Sequence, residues 1–432
     1  MKFSKELDEL VQAGVIDSAT AEKITNYYTS KAGPPQNRLT LVFGILGAVL
    51  VGLGIVLILG NNWDALSRTV KTAIAFLPLL AGQIICAFTL LRQKESLVWR
   101  EGSATFLVLT IGACISLVAL IYNIQGQMDS FLLTWCLLAL PVIYVMRSSA
   151  AALLYIIGIT WYACEAGYWG SHTYEPYAYW GLLILVLPHY VMLSRTYSES
   201  NFFTVHNWFI PISVTIALGT VAVDSEELMF LAYMCLFGLL YQIGHIPKMD
   251  ALKVRNNGYL VIGALGSVAI LLAVSFEWYW NGLQDGYNNA TIAWLSPEII
   301  AAGLLFLGAL ILLILNKRKQ SPFVLKPAEL AFILFALIFF VGLFSPIAIL
   351  LVNALVLSIG ILTIREGALQ NHFGILNYGL LIITALIICR FFDSNIPFIL
   401  KGVMFVAVGA GFFYANYRMA NRIRRETVNT QN

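Results

Sequence analysis

The chain has 432 residues, 59% of them hydrophobic and only 11% charged, with a mean hydropathy of +0.80. A soluble globular chain carries about 25% charged and about 45–50% apolar residues, so this composition excludes a soluble enzyme, a disordered chain and a nucleic-acid-binding domain. The solvent for most of this protein is lipid, and membrane lipids are its first expected partners.

Residues 1–38 are polar and charged and lack the apolar core of a cleavable signal peptide, so the first membrane helix is expected to act as the insertion signal. Within them, Leu7, Leu10 and Val11 form one apolar stripe, Gly14 breaks the helix, and Asp17 or Ser18 can cap a second helix carrying Ile24, Tyr27 and Tyr28. The spacing predicts a helical hairpin over 3–30, closed by Gly33-Pro34-Pro35. Such a hairpin packs on the inner mouths of its own helices, lies in the headgroups, or docks a partner protein through residues 1–30.

A membrane helix needs ~20 mostly apolar residues to cross ~30 Å of hydrocarbon. Fourteen stretches meet that criterion: 39–59, 70–91, 103–122, 131–146, 149–168, 177–194, 203–223, 227–245, 257–276, 298–316, 327–344, 346–363, 371–390 and 397–417. The expected fold is an all-α polytopic transmembrane bundle, with the hairpin and linker at 1–38, the bundle at 39–418 and a basic tail at 419–432. With the N-terminus inside, 22 of the 26 Lys and Arg fall on the inner side and 11 of the 23 Asp and Glu on the outer. That asymmetry is the one expected of a bacterial inner membrane with both termini cytoplasmic. The longest outer loop, 277–297, holds Trp278, Tyr279, Trp280, Tyr287 and Trp294, read as an interfacial aromatic belt. The six cysteines all sit in apolar runs without the spacing of a thiolate metal site or redox pair, so they read as small hydrophobes, and no metal or cofactor is expected.

Polar residues where lipid makes them costly carry the functional signal. Asn61, Asn62, Trp63 and Asp64 lie at the outer end of the first predicted span, and Tyr122, Asn123, Gln125 and Asp129 at the outer end of the third. Amides and a carboxylate beside an aromatic ring suit a sugar, a cation or a headgroup; the plainer reading is helix capping with an interfacial Trp. The segment through these motifs resembles the bacterial membrane proteins of domain-of-unknown-function family 2157 (DUF2157). The matching features are the N-terminal hairpin, the Gly-rich first span, NNWDALSRTVK, LIYNIQG, Trp135 and MRSSAAALL, over roughly residues 5–160. The resemblance implies a membrane protein and no particular activity.

In the C-terminal third, Asn353 lies near the middle of the 346–363 span, Asn377 inside 371–390, Arg390 and Asp393 at the outer turn, and Lys401 in the last span. The amides are suited to bond neighbouring helices. Arg390 and Lys401 either snorkel to headgroups, pair with outer acids, or face a cavity and attract an anion. Gln83, His189, His206, Pro188 and Pro211 are weaker candidates for a path. His189 and His206 read as two interfacial histidines or a proton-relay pair, and Glu329 as a helix-start carboxylate.

Three functions fit. The first is a transporter or flippase-like protein for a small solute or lipid-linked molecule. The second is a non-transporting sensor or envelope assembly factor. The third is a membrane enzyme using Asp64, Asp129 or Asp393 on a lipid-linked substrate. A transporter needs a polar cavity at depth, an enzyme needs converging carboxylates at the outer boundary, and a scaffold needs residues 1–30.

Overall fold

A computed structural model describes residues 13–31, 66–169, 177–222, 226–288, 295–318 and 327–391, with Val11 and scattered positions between 399 and 417. The chain divides into two compact units, Met1–Ile74 and Ala75–Asn432.

In the first unit, Gly14 takes φ +68°, the left-handed region that glycine enters without a Cβ penalty, and the chain reverses there as expected. Helix α1 (Ser18–Lys31) follows. Asp17 stands at its start, where bonding to Thr20 holds the carboxyl below the usual carboxylate range. The preceding helix of the predicted hairpin, apart from Val11, lies outside the described residues.

The remaining helices are α2 (Arg68–Arg92), α3 (Leu97–Tyr122), α4 (Met128–Met146), α5 (Ser149–Cys164), α6 (Ala178–Thr196), α7 (Asn201–Leu218) and α8 (Glu226–Gly244). They continue with α9 (Gly258–Ala273), α10 (Glu277–Asn288), α11 (Pro297–Arg318), α12 (Pro327–Gly342), α13 (Ile347–Leu369) and α14 (Phe373–Phe391). The starts are written in the sequence: Ser148, Ser200 and Asn257 each accept the backbone N–H three residues on, at 3.1–3.2 Å, satisfying donors that the helix cannot.

Every predicted span between 70 and 390 falls on a helix, but the count differs. Among the described residues ten helices are long and apolar enough to cross a membrane, eleven if α9 and α10 form one bent span, against twelve expected there. The difference lies in α9 and α12, each 16 residues long and so only about 24 Å in rise. The predicted spans 39–59 and, save scattered helical positions, 397–417 lie outside the described residues.

Two apolar cores share α8. One gathers residues of α2–α9 and α11 and the other residues of α8–α14, with α9 and α11 also contributing to both, and 61% of the apolar window of α8 is buried, the largest share of any candidate span. Trp135 of α4 shows how the first core closes. Its indole donates to the Val108 carbonyl at 2.8 Å, and its ring lies where a Cβ on Gly112 of α3 would be, 3.1 Å from Nε1. Glycine there lets α3 and α4 approach.

One expectation is overturned. The 277–297 segment begins as helix α10, bent 77° from α9, and its aromatics do not form an exposed interfacial belt. Tyr279 and Trp280 are 0% and 1% exposed, because α10 turns them into the second core, where Gly342 leaves space for the Trp280 ring. Trp278 alone of the described four is turned out, at 59% exposure.

Candidate functional site

The break between α9 and α10 frees backbone carbonyls that the helix would otherwise satisfy. Trp280 Nε1 donates to the Val274 carbonyl at 2.8 Å. Asn353 Nδ2, from α13, donates to the Ser275 carbonyl at 3.2 Å and to the Ile349 carbonyl at 2.7 Å. Arg390, from the last turn of α14, donates to Ser275 Oγ at 3.0 Å and lies 4.5 Å over the Phe276 ring. The Ser275 hydroxyl in turn donates to Leu272 O at 2.7 Å. Two residues distant in sequence thus meet at one fully buried serine. Asn353 Oδ1 is buried there without a hydrogen-bond partner. Because α13 begins at Ile347 and ends at Leu369, Asn353 stands about two turns from its start, so it shares a level with Arg390 and is not at the helix centre.

The other expected site residues do not join them. Asn377 is exposed, in the first turns of α14, at the opposite end of that helix from Arg390. Tyr122 is exposed, and Asn123 and Gln125 line an open hollow of about 500 Å³ with Ser116, Ala119, Leu120 and Ile124. Asn123 has its own structural reason: it caps α3 at φ 50°, a left-handed position that Asn tolerates. Asp129 accepts from the Ser130 amide at 2.5 Å, at the start of α4. Asn61, Asn62, Trp63, Asp64, Asp393 and Lys401 lie outside the described residues.

The other end of the helices carries Arg100, Arg147, Arg255 and Lys317, and it holds two buried polar groups that sequence reading did not assemble. Glu101 is 8% exposed; its carboxyl oxygens accept from Ser148 Oγ at 2.5 Å, the Ser149 amide at 3.1 Å and the Ala150 amide at 2.8 Å, the start of α5. Ser149 Oγ meets His189 Nε2 at 3.4 Å, and the His189 and His206 rings lie 6.1 Å apart. These histidines are 2% and 0% exposed, so they form a buried pair near the helix ends. Beyond them, Lys317 and Glu329 form an ion pair at 2.6 Å, 5% and 3% exposed. Glu329 starts α12, as expected, and faces the buried Lys317 ammonium. Gln242 Nε2 donates to the Glu329 carbonyl at 3.3 Å, and Asn316 Nδ2 donates to the Gln242 carbonyl at 3.0 Å. Ser-Ser ahead of the apolar run at 149 was the legible clue to Glu101's partners; the side-chain pairings across helices carried none.

Residues 8–152 match the model of the family described as predicted membrane protein (DUF2157). The resemblance drawn over residues 5–160 is therefore borne out for the N-terminal third, which includes Glu101, Trp135 and Ser148 but neither histidine nor the α9–α10 break. No curated protein and no solved structure matches the chain.

Proposed function

We propose that this multi-pass membrane protein is a transporter or flippase-like carrier, and that a small anionic solute or the anionic part of a lipid-linked molecule engages it at the α9–α10 break. One observation carries the reading: a span interrupted by a 77° bend, with Arg390 and Asn353 brought to the break from two other helices. Irregular backbone at membrane depth is tolerated where protein buries it or where it lines a water-filled path, and interrupted helices form the substrate sites of many carriers. Arg390 supplies positive charge beside a polar serine, which sets the preference for an anion. The positive-inside distribution supports a bacterial inner membrane with both termini cytoplasmic, and on that topology the break faces the outer side.

A second reading, a sensor or assembly factor, draws on α1, whose described side chains are mostly exposed and so available to a partner protein. Among the described residues only Asp129 of the three acids considered for an enzyme is present, and its carboxyl bonds the neighbouring serine.

The anion preference is tested by thermal unfolding of the full chain in detergent with inorganic phosphate, a sugar phosphate or phosphatidylglycerol. At least one probe is expected to raise the midpoint by several degrees in the wild type and not in Arg390→Gln. No shift with any probe, or an equal shift in the variant, overturns the assignment.

A further inference from the structure

The solute reading leaves the polar cluster at the basic end without a task. His206 sits within the first two turns of α7 and His189 within the last two of α6, about 10 Å or less from the helix ends. His206 Nδ1 bonds the Phe202 carbonyl at 2.8 Å. A carbonyl only accepts, so the proton sits on Nδ1 and Nε2 is left as a bare acceptor. That Nε2 is buried and has no hydrogen-bond partner, in a side chain that is 0% exposed. Folded proteins rarely leave such an atom unmatched. The His189 ring lies 6.1 Å away; His189 Nε2 meets Ser149 Oγ, and the Ser149 backbone amide donates to Glu101, so the cluster spans α7, α6, α5 and α3.

We propose that His189 and His206 form a buried proton-binding site served from the basic end, with the nearby Glu101 carboxylate as its countercharge. The His206 Nε2 lone pair takes a proton from hydronium, releasing water, and the ring becomes an imidazolium with both nitrogens protonated; release reverses the step.

The groups facing the pair suit it to one proton. Arg100 and Glu101 of α3 are the charged groups within electrostatic reach. From α6 the Tyr190 ring stacks 6.5 Å from His206, and its hydroxyl donates to Asn207 Oδ1 at 2.7 Å. Tyr259 of α9 tilts against Tyr190. Tyr144 of α4 and Tyr155 of α5 commit their hydroxyls to the Leu185 and Leu182 carbonyls. The 254–256 turn brings Arg255, whose carbonyl accepts from Trp208 Nε1. The α8 side chain bonded to α7, Tyr233, reaches it at the far end, on the Thr215 carbonyl.

This site needs no solute, so its test is independent of the carrier reading. The full chain in detergent is unfolded thermally at intervals between about pH 5 and about pH 8, where histidine titrates. A single linked proton changes the unfolding constant by up to about tenfold per pH unit. Because the folded site is the one that binds the proton, wild-type stability is expected to rise as pH falls through this window; His206→Gln is expected to lose that rise, and His372→Gln, an exposed histidine at the start of α14, to keep it. Should His206→Gln not fold, His189→Asn gives the same comparison. A wild type whose stability falls as pH falls, the mark of a pair buried neutral, overturns the proposal, as does a profile that superimposes on that of His206→Gln or His189→Asn or one with no pH dependence.

Discussion

Glu101 holds three donors at the start of α5, where the helix dipole and the orphan amides both favour an acceptor. Replacing it with alanine leaves those donors buried and unmatched, so Glu101→Ala is expected to lower stability by about 2–3 kcal/mol, measured by thermal unfolding in detergent. Glu101→Gln keeps one acceptor oxygen but adds two donors to a site already full of them, and it should recover only part of the loss. The Lys317–Glu329 pair makes the complementary case. Removing one partner strands a buried charge, so Lys317→Met is expected to cost about 3–5 kcal/mol. In Lys317→Met/Glu329→Met neither charge remains, and stability should return to within about 1 kcal/mol of wild type or above it. The Gln242 bond goes to the Glu329 backbone and survives both changes. A double variant as unstable as the single one would mean that the pair itself, and not the stranded charge, sets the cost. At this scale the sequence was legible where chemistry is local. The serine caps and the left-handed Asn123 follow from neighbours within four residues. The meetings of Glu101 with Ser148, Asn353 with Ser275 and His189 with His206 depend on helix packing, which apolar periodicity does not encode.

At the scale of elements, close helix crossings rest on missing side chains. A Cβ on Gly263 of α9 would lie 2.5 Å from the Tyr241 amide nitrogen and 2.8 Å from the Phe237 carbonyl oxygen of α8, and backbone cannot step aside. Gly263→Ala should therefore cost about 1–3 kcal/mol. Gly303 of α11 has nothing within 4 Å of the same position, so Gly303→Ala should stabilise by about 0.5–1 kcal/mol, the ordinary helix gain. Equal effects at the two sites, in parallel unfolding curves, would contradict this packing of α9 on α8. The element that sequence reading missed is α10. Trp280, Leu283, Gln284 and Tyr287 stand at i, i+3, i+4 and i+7, a helical stripe that was present in the residues. Its aromatic richness and the charges at Glu277 and Asp285 made it resemble a headgroup-level loop, and the bend at Ser275 hid its continuity with α9.

For the whole molecule, hydropathy sufficed for class and approximate span positions, because the bilayer imposes length and polarity on every helix. It could not rank polar residues by function, since an amide that glues helices and one that lines a path look alike in sequence. The helix order around α8 gathers Arg390 and Asn353 at one break and leaves Asn377 at the other end of α14. A carrier requires that this break be reached by water from one side. The direct measurement is labelling of single cysteines at Phe276 and Asn353, in a cysteine-free full chain in intact cells, by a membrane-impermeant thiol reagent, with Gln125 as the surface reference. Labelling at 276 and 353 together with 125 is expected. Labelling at 125 alone would make the break a packed joint and contradict a solute site there.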